Sequence, residues 1–224
     1  MLDYIAGAIL GLLAGVLFYR LAIIQIAKRT ADSLKKDALK KTAVLIPWLV
    51  VYALLFLVII WREKSLVSLK TVEYLIYTSV VLNIAAVDYL IRKIPNELLL
   101  ILLLTKIIFL VLSFERGSSV FDMVMGPLVG LAIGFFIFSI PSMFNILIGA
   151  GDVKFSATIG FCLGYLLFFQ AMVIMAIIML LFLVYLLATK KGTLKTATAM
   201  GPYLSIGVVL TMIFPMSEML TVLG

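Results

Sequence analysis

Two stretches of the chain carry side chains able to do chemistry. One is Gly149-Ala150-Gly151-Asp152-Val153-Lys154, a carboxylate set behind two glycines between two long apolar runs. The other is Asp88, close to the end of an apolar run and followed by the helix-breaking sequence Arg92-Lys93-Ile94-Pro95-Asn96. Carboxylates at the border of membrane-length apolar segments are costly and rare, so each is a functional-site candidate. The chain has no histidine, which removes imidazole bases, Ser-His-Asp triads and histidine-ligated metals. Its one cysteine, Cys162, can form neither an internal disulfide nor a tetracysteine zinc site. Acid–base chemistry therefore falls to carboxylates, lysines or tyrosines.

The elements that must position these residues are membrane-spanning helices. With 65% hydrophobic and 13% charged residues and a mean hydropathy of +1.27, a chain of this length cannot hide its apolar surface in a soluble core. Hydropathy predicts an all-α polytopic membrane protein with about eight transmembrane helices, forming a single transmembrane domain over 1–224. The expected spans run Tyr4 to Ile26, Ala43 to Trp61, Val72 to Leu90, Leu98 to Phe114 and Met123 to Ile140. Two more lie within Phe155 to Ala188, turning near Gln170, and the last runs from about Tyr203 to Leu220. Pro47 is expected in the first turn of its helix, where a missing N–H is tolerated. Pro141 to Ile148 reads as an irregular approach to the glycine stretch. The first run reads as a span rather than a cleaved signal peptide, because Asp3 precedes it and the basic residues follow it.

Charge distribution orients the spans. If the basic segment from Ala27 to Thr42 lies in the cytoplasm, the loops on that side hold twelve lysines and arginines against four on the other. The twelve include Lys28, Arg29, Lys35, Lys36, Lys40 and Lys41 in the first loop, then Arg92, Lys93, Lys154, Lys190, Lys191 and Lys195. The four are Arg62, Lys64, Lys70 and Arg116. Cytoplasmic loops carry such an excess, so the net charge of +7 is read as orientation in a cell membrane and contact with lipid, not as a nucleic-acid surface. Both termini then face outward, and Asp88 and Asp152 fall at one face, the cytoplasmic one.

Each carboxylate also has a plain structural reading. Asp88 can pair with Arg92 four residues on, and Asp152 can cap the helix that follows it, with its glycines serving a tight turn. Lys154 can be an interfacial charge reaching the headgroups. The catalytic reading rests on the pair. Two carboxylates sharing a site resist double ionisation and hold one proton between them. Such a dyad can activate water as general base and donate a proton to the scissile carbonyl or leaving amine, without metal or cofactor. Gly149 and Gly151 would let a substrate backbone approach closely. The fitting substrate enters from the bilayer, with an apolar helix among the spans and its cleavage site at the membrane surface.

Asp88 with Ile94-Pro95-Asn96, together with Gly149-Ala150-Gly151-Asp152-Val153-Lys154, resembles the paired signature of the type IV prepilin peptidases, membrane aspartic proteases of the GxGD type. Gly11-Leu12-Leu13-Ala14-Gly15 leading to Tyr19-Arg20-Leu21 is similar to the first span of the bacterial enzymes. Gly160 and Gly164 match glycines after the second aspartate, and Gly201-Pro202-Tyr203-Leu204 is similar to the start of the family's last span. The resemblance implies removal of a short basic leader from prepilin-like precursors at the cytoplasmic face by the dyad Asp88 and Asp152. Gly149, Gly151, Lys154, Pro95 and Asn96 would shape the site and bind substrate. It divides the chain into two N-terminal spans over 1–70 and a six-span core over 71–224.

Many bacterial members also methylate the new N-terminus and carry a cytoplasmic domain with two Cys-x-x-Cys pairs after the first span. This chain has a short loop without cysteine there, which excludes zinc at that place and leaves no residues identifiable as carrying methyl transfer. The competing readings are a presenilin-like GxGD protease, a proton-coupled transporter and an inactive structural subunit. The first lacks its Pro-Ala-Leu and Tyr-Asp motifs here. The second would hold its carboxylates near the midplane, and the third fits poorly with two intact aspartates.

Overall fold

A computed structural model of the chain describes residues 2–39, 42–114, 120–143, 149–190 and 198–216. All regular structure among them is helical: α1 (Leu2–Arg29), α2 (Ser33–Ala38), α3 (Thr42–Glu63), α4 (Leu69–Ile91), α5 (Asn96–Leu112), α6 (Val120–Met143), α7 (Ala150–Ala188) and α8 (Gly201–Ile213). Five of these, α1, α3, α4, α6 and α7, are long and apolar enough to cross a membrane. Lys40, Lys41, Arg116, Lys191, Lys195 and the expected end of the last span at Leu220 lie outside the described residues.

α4 is the central helix. Within its span window 67% of residues are enclosed by protein, against 28% for α1 and 22% for α3. A helix enclosed by protein can carry polar residues if they find partners, and α4 buries Thr71, Ser79, Asn83 and Asp88, each with a hydrogen bond. Asn83 donates to the Phe18 carbonyl of α1 at 2.5 Å, Tyr52 of α3 donates to the Ser79 carbonyl at 2.9 Å, and Ser205 of α8 donates to the Val81 carbonyl at 2.9 Å. α1, α3 and α8 are thereby tied to one axis. Trp48 adds a bond from α3 to the Gly15 carbonyl of α1 at 3.0 Å.

Several boundaries differ from the hydropathy reading. The first loop contains α2, whose cap Asp32 accepts from the Leu34 N–H at 3.0 Å. Pro47 lies inside α3, beyond its first turn, and Pro141 lies inside α6. Membrane helices accommodate proline where neighbours or local adjustment satisfy the freed backbone groups.

The largest difference concerns α7. The reversal expected near Gln170 occurs at Gly164, the one non-helical residue in α7, at φ 73° and ψ 171°. Its two halves run antiparallel. Gln170, just after the break, reaches the far end of α8 at Phe214, whereas Phe182 meets Tyr203 near the start of α8. Gln170 is helical and serves the end of α8: its Nε2 donates to the Phe214 carbonyl at 2.6 Å and its Oε1 accepts from the Met216 N–H at 2.7 Å. Its polarity marks a neighbour's helix end, and glycine marks the bend because only glycine reaches that backbone region without strain.

Small residues set the helix spacing. Gly126, Gly130 and Gly134 on α6 face Ser156, Gly160 and Gly164 on α7, four residues apart on each helix. Gly130 and Gly160 touch backbone to backbone, so a Cβ on either would overlap the other's carbonyl. Ser156 donates to the Gly134 carbonyl at 3.0 Å. Without a hydrophobic drive between helices in lipid, this close approach is what joins them. Gly7, Gly11 and Gly15 play the same part between α1 and α3.

Gly160→Ala and Gly130→Ala should each destabilise the protein by about 1–3 kcal/mol through forced separation of α6 and α7. Gly126→Ala, whose Cβ would meet nothing within 4 Å, should not lower stability. Thermal unfolding in detergent micelles distinguishes the two outcomes. By the same assay Gly164→Ala should cost about 1–3 kcal/mol, because alanine is strained at that φ and ψ.

Candidate active site

Asp88 and Asp152, 64 positions apart in sequence, line one cleft of about 450 Å³. The cleft lies where several helix ends meet: the C-termini of α1 and α4 and the N-termini of α5 and α7, with the start of α8 against Asp88.

Asp88 sits on the last turn of α4 and is 5% exposed. Its Oδ2 accepts from the Gly201 N–H, the first residue of α8, at 2.9 Å. That bond depends on glycine. A Cβ at 201 would stand 2.7 Å from Oδ2 and 3.0 Å from the Asp88 Cβ and Cγ. Pro202 suits the first turn of α8, where its missing N–H leaves no bond unmade. The Asp88 carbonyl accepts from the Arg92 N–H at 2.8 Å, and Arg92 closes α4 in the left-handed region at φ 52° and ψ 45°. The chain then turns through Ile94 and Pro95 into α5.

Asp152 lies in the first turn of α7 and is half-buried. The N-cap is Gly149, so Asp152 does not itself occupy the cap position. Its carboxylate folds back on Gly149 and accepts a hydrogen bond from that residue's backbone, in the manner of the acidic member of a capping box. A Cβ at Gly149 would come within 2.9 Å of Asp152 Oδ2, so the absent side chain leaves room for the carboxylate. Gly151 faces Ile94 at ordinary contact distance, 3.4 Å from a constructed Cβ. It thus marks where α7 rests on the turn after α4.

The other expected site residues divide. Lys154 and Asn96 are exposed and line the cleft. Pro95 is buried under it as the N-cap of α5, its carbonyl accepting from Leu98 at 3.1 Å and Leu99 at 3.4 Å, and is not part of the wall. Two members were not legible as such from sequence. In the sequence Gly201 stands only within Gly201-Pro202-Tyr203-Leu204, where a glycine-proline pair opening a helix is the available signal. Arg29 stands there as one basic residue of the first loop. It lines the cleft, pairs with Glu97 on the first turn of α5, and donates to the Gln25 side chain. Lys93 in turn donates to the Arg29 carbonyl at 3.3 Å. The C-terminus of α1 is therefore fastened across the α4–α5 turn.

The resulting site has two carboxylates, four cationic side chains (Arg29, Arg92, Lys93 and Lys154) and backbone N–H groups at helix starts. It opens to solvent-accessible space and has oxygen bases but no imidazole or thiolate among its lining residues. Carboxylates are oxygen bases of the kind that serve as general acid or base.

No curated protein and no solved structure matches the chain. The model of the type IV leader peptidase family does, over residues 75–187. That stretch covers half the chain and includes both aspartates, whereas Arg29, which lines the cleft, and Gly201, which bonds Asp88, lie outside it. The chain belongs to the type IV leader peptidase family.

Proposed function

We propose that the protein is a membrane-embedded aspartic endopeptidase that removes the leader from prepilin-like precursors, with Asp88 and Asp152 as the catalytic dyad. The observation that carries this reading is the meeting of these two distant carboxylates in one cleft within a chain of leader-peptidase family. The cleft takes the scissile peptide bond between the two aspartates with a water beside it. The ionised carboxylate removes a proton as the water oxygen attacks the carbonyl carbon, and the protonated one donates to the carbonyl oxygen. The tetrahedral intermediate collapses as the protonated carboxyl gives its proton to the leaving amine, the other carboxylate takes a hydroxyl proton from the intermediate, and the C–N bond breaks. The dyad is left with one proton, as it began, and no covalent enzyme intermediate forms.

Neighbouring groups have defined parts in this scheme. The Gly201 N–H orients Asp88, and the Gly149 backbone orients Asp152. Lys154 and Asn96 contact the substrate at the rim of the cleft, with Gly149 and Gly151 giving its backbone close access and Pro95 fixing the turn beneath. The chain crosses the membrane eight times, counting α1, α3, α4, α5, α6, both halves of α7, and α8. The excess of basic residues at the cleft end supports a site at the cytoplasmic face of the cell membrane.

Asp88→Asn and Asp152→Asn should each lower cleavage of a prepilin-like precursor by about 10²- to 10⁴-fold, the usual worth of a general acid or base. Both should insert and elute as the wild type does. Co-expression with the precursor and its mobility on a gel reports the outcome, and full processing by both variants would sink the dyad. Gly201→Ala should lower kcat at least tenfold, about 1.4 kcal/mol of barrier, by displacing the Asp88 carboxyl. Single-turnover cleavage rates test this.

A further inference from the structure

A second depression adjoins the carboxylate cleft. It is a groove of about 490 Å³ between α5, α6 and the first half of α7. Asn96 and Lys154 belong to the walls of both. Below them the lining turns apolar, with Leu100 and Leu103 from α5, Phe135 from α6 and Ala157 from α7. Asn96 to Leu103 is seven residues of helix, so the groove descends about 10 Å into the span region. Two other apolar grooves, beside Trp48 and beside Phe182, share no residue with the carboxylate cleft.

We propose that this groove receives the first turns of the precursor's membrane-embedded helix, directly following the scissile bond. The inference rests on the leader-peptidase reading and specifies where its substrate lies. The lining changes from polar at the carboxylates to apolar within about two helical turns. The precursor has the same order of polarity along its chain: a peptide bond at the aspartates, then an apolar helix. A helix seated in a groove contacts it through residues at i, i+3 or i+4, and i+7. The small side chain of Ala157 on the wall leaves room for close helix approach, which is how helices associate in lipid. Asn96 and Lys154 stand at the junction, where the chain passes from the extended form needed for cleavage into helix. The basic leader lies on the opposite side of the dyad.

Filling the groove should separate membrane precursor from short peptide. Ala157→Phe is compared with wild type on two probes, a full-length prepilin-like precursor in proteoliposomes and a water-soluble peptide spanning its cleavage site. The ratio of kcat/KM for precursor to that for peptide should fall about tenfold, through KM, as for losing roughly one good interhelical contact. An unchanged ratio in a variant with wild-type elution overturns the proposal. A photo-crosslinking residue at Phe135, which is 46% exposed, gives a second measurement on a protein with an open groove. Crosslinks to the precursor's apolar helix support the proposal, and crosslinks to lipid alone overturn it. If the wild type cleaves through both aspartates yet neither groove measurement responds, the docking site is wrong and the peptidase stands. If the aspartate variants cleave normally, the peptidase reading itself fails.

Discussion

Inside a membrane-spanning helix every backbone N–H is already bonded, so free backbone donors for a carboxylate exist only at helix starts. That constraint governs the two acidic groups of the cleft. Asp88 stands at the wrong end of its own helix, where the backbone carbonyls point outward, and is stabilised by the first N–H of another helix, that of Gly201. Asp152 stands in the first turn of α7, where the local dipole favours a negative charge, and uses the backbone of its own cap. The two carboxylates thus reach one cleft in unlike settings: one deeply enclosed and dependent on a distant segment, the other half-exposed and supported locally.

Bringing those helix ends together requires the rest of the bundle. α4 carries Asp88 and is held by polar bonds from α1, α3 and α8. α7 carries Asp152, and its depth relative to α6 is fixed by the Gly130–Gly160 contact. The first half of α7 also packs on α5, through Cys162, which donates to the Leu102 carbonyl at 3.6 Å. Away from the cleft, Glu73 accepts from Tyr77 at 2.7 Å and pairs with Lys106 at 3.3 Å. This interior polar group joins α4 to α5 at the end remote from the aspartates. α1 contributes more than an anchor, because Arg29 and Lys93 lock its end over the α4–α5 turn.

Much of the helix order was legible in the sequence because hydropathy measures the contact each segment makes with lipid. The break before Pro95 was also legible, because proline restricts the residue ahead of it. What escaped depended on partners. Gln170 looked like a turn because it is polar, yet its amide satisfies the end of α8. Gly164 and Gly201 carry no side chain to read. One is needed for its backbone angles and the other for the space it leaves to Asp88, and both needs become visible only with a neighbour in place. Arg29 was one of many basic residues by a membrane face, and only the packing of α1 against α4 brings it to the cleft.

The bend at Gly164 also bears on what holds Asp152 at its level in the bundle. The segment before it, residues 150–163, is helical for about 21 Å at 1.5 Å per residue, well short of a hydrocarbon core of about 30 Å. It joins the longer second half of α7 through a single non-helical residue, with no loop between them to absorb a shift. The height of the second carboxylate is therefore set from both sides of the bend, by the glycine contact with α6 before it and by the bonds of Gln170 to the end of α8 after it.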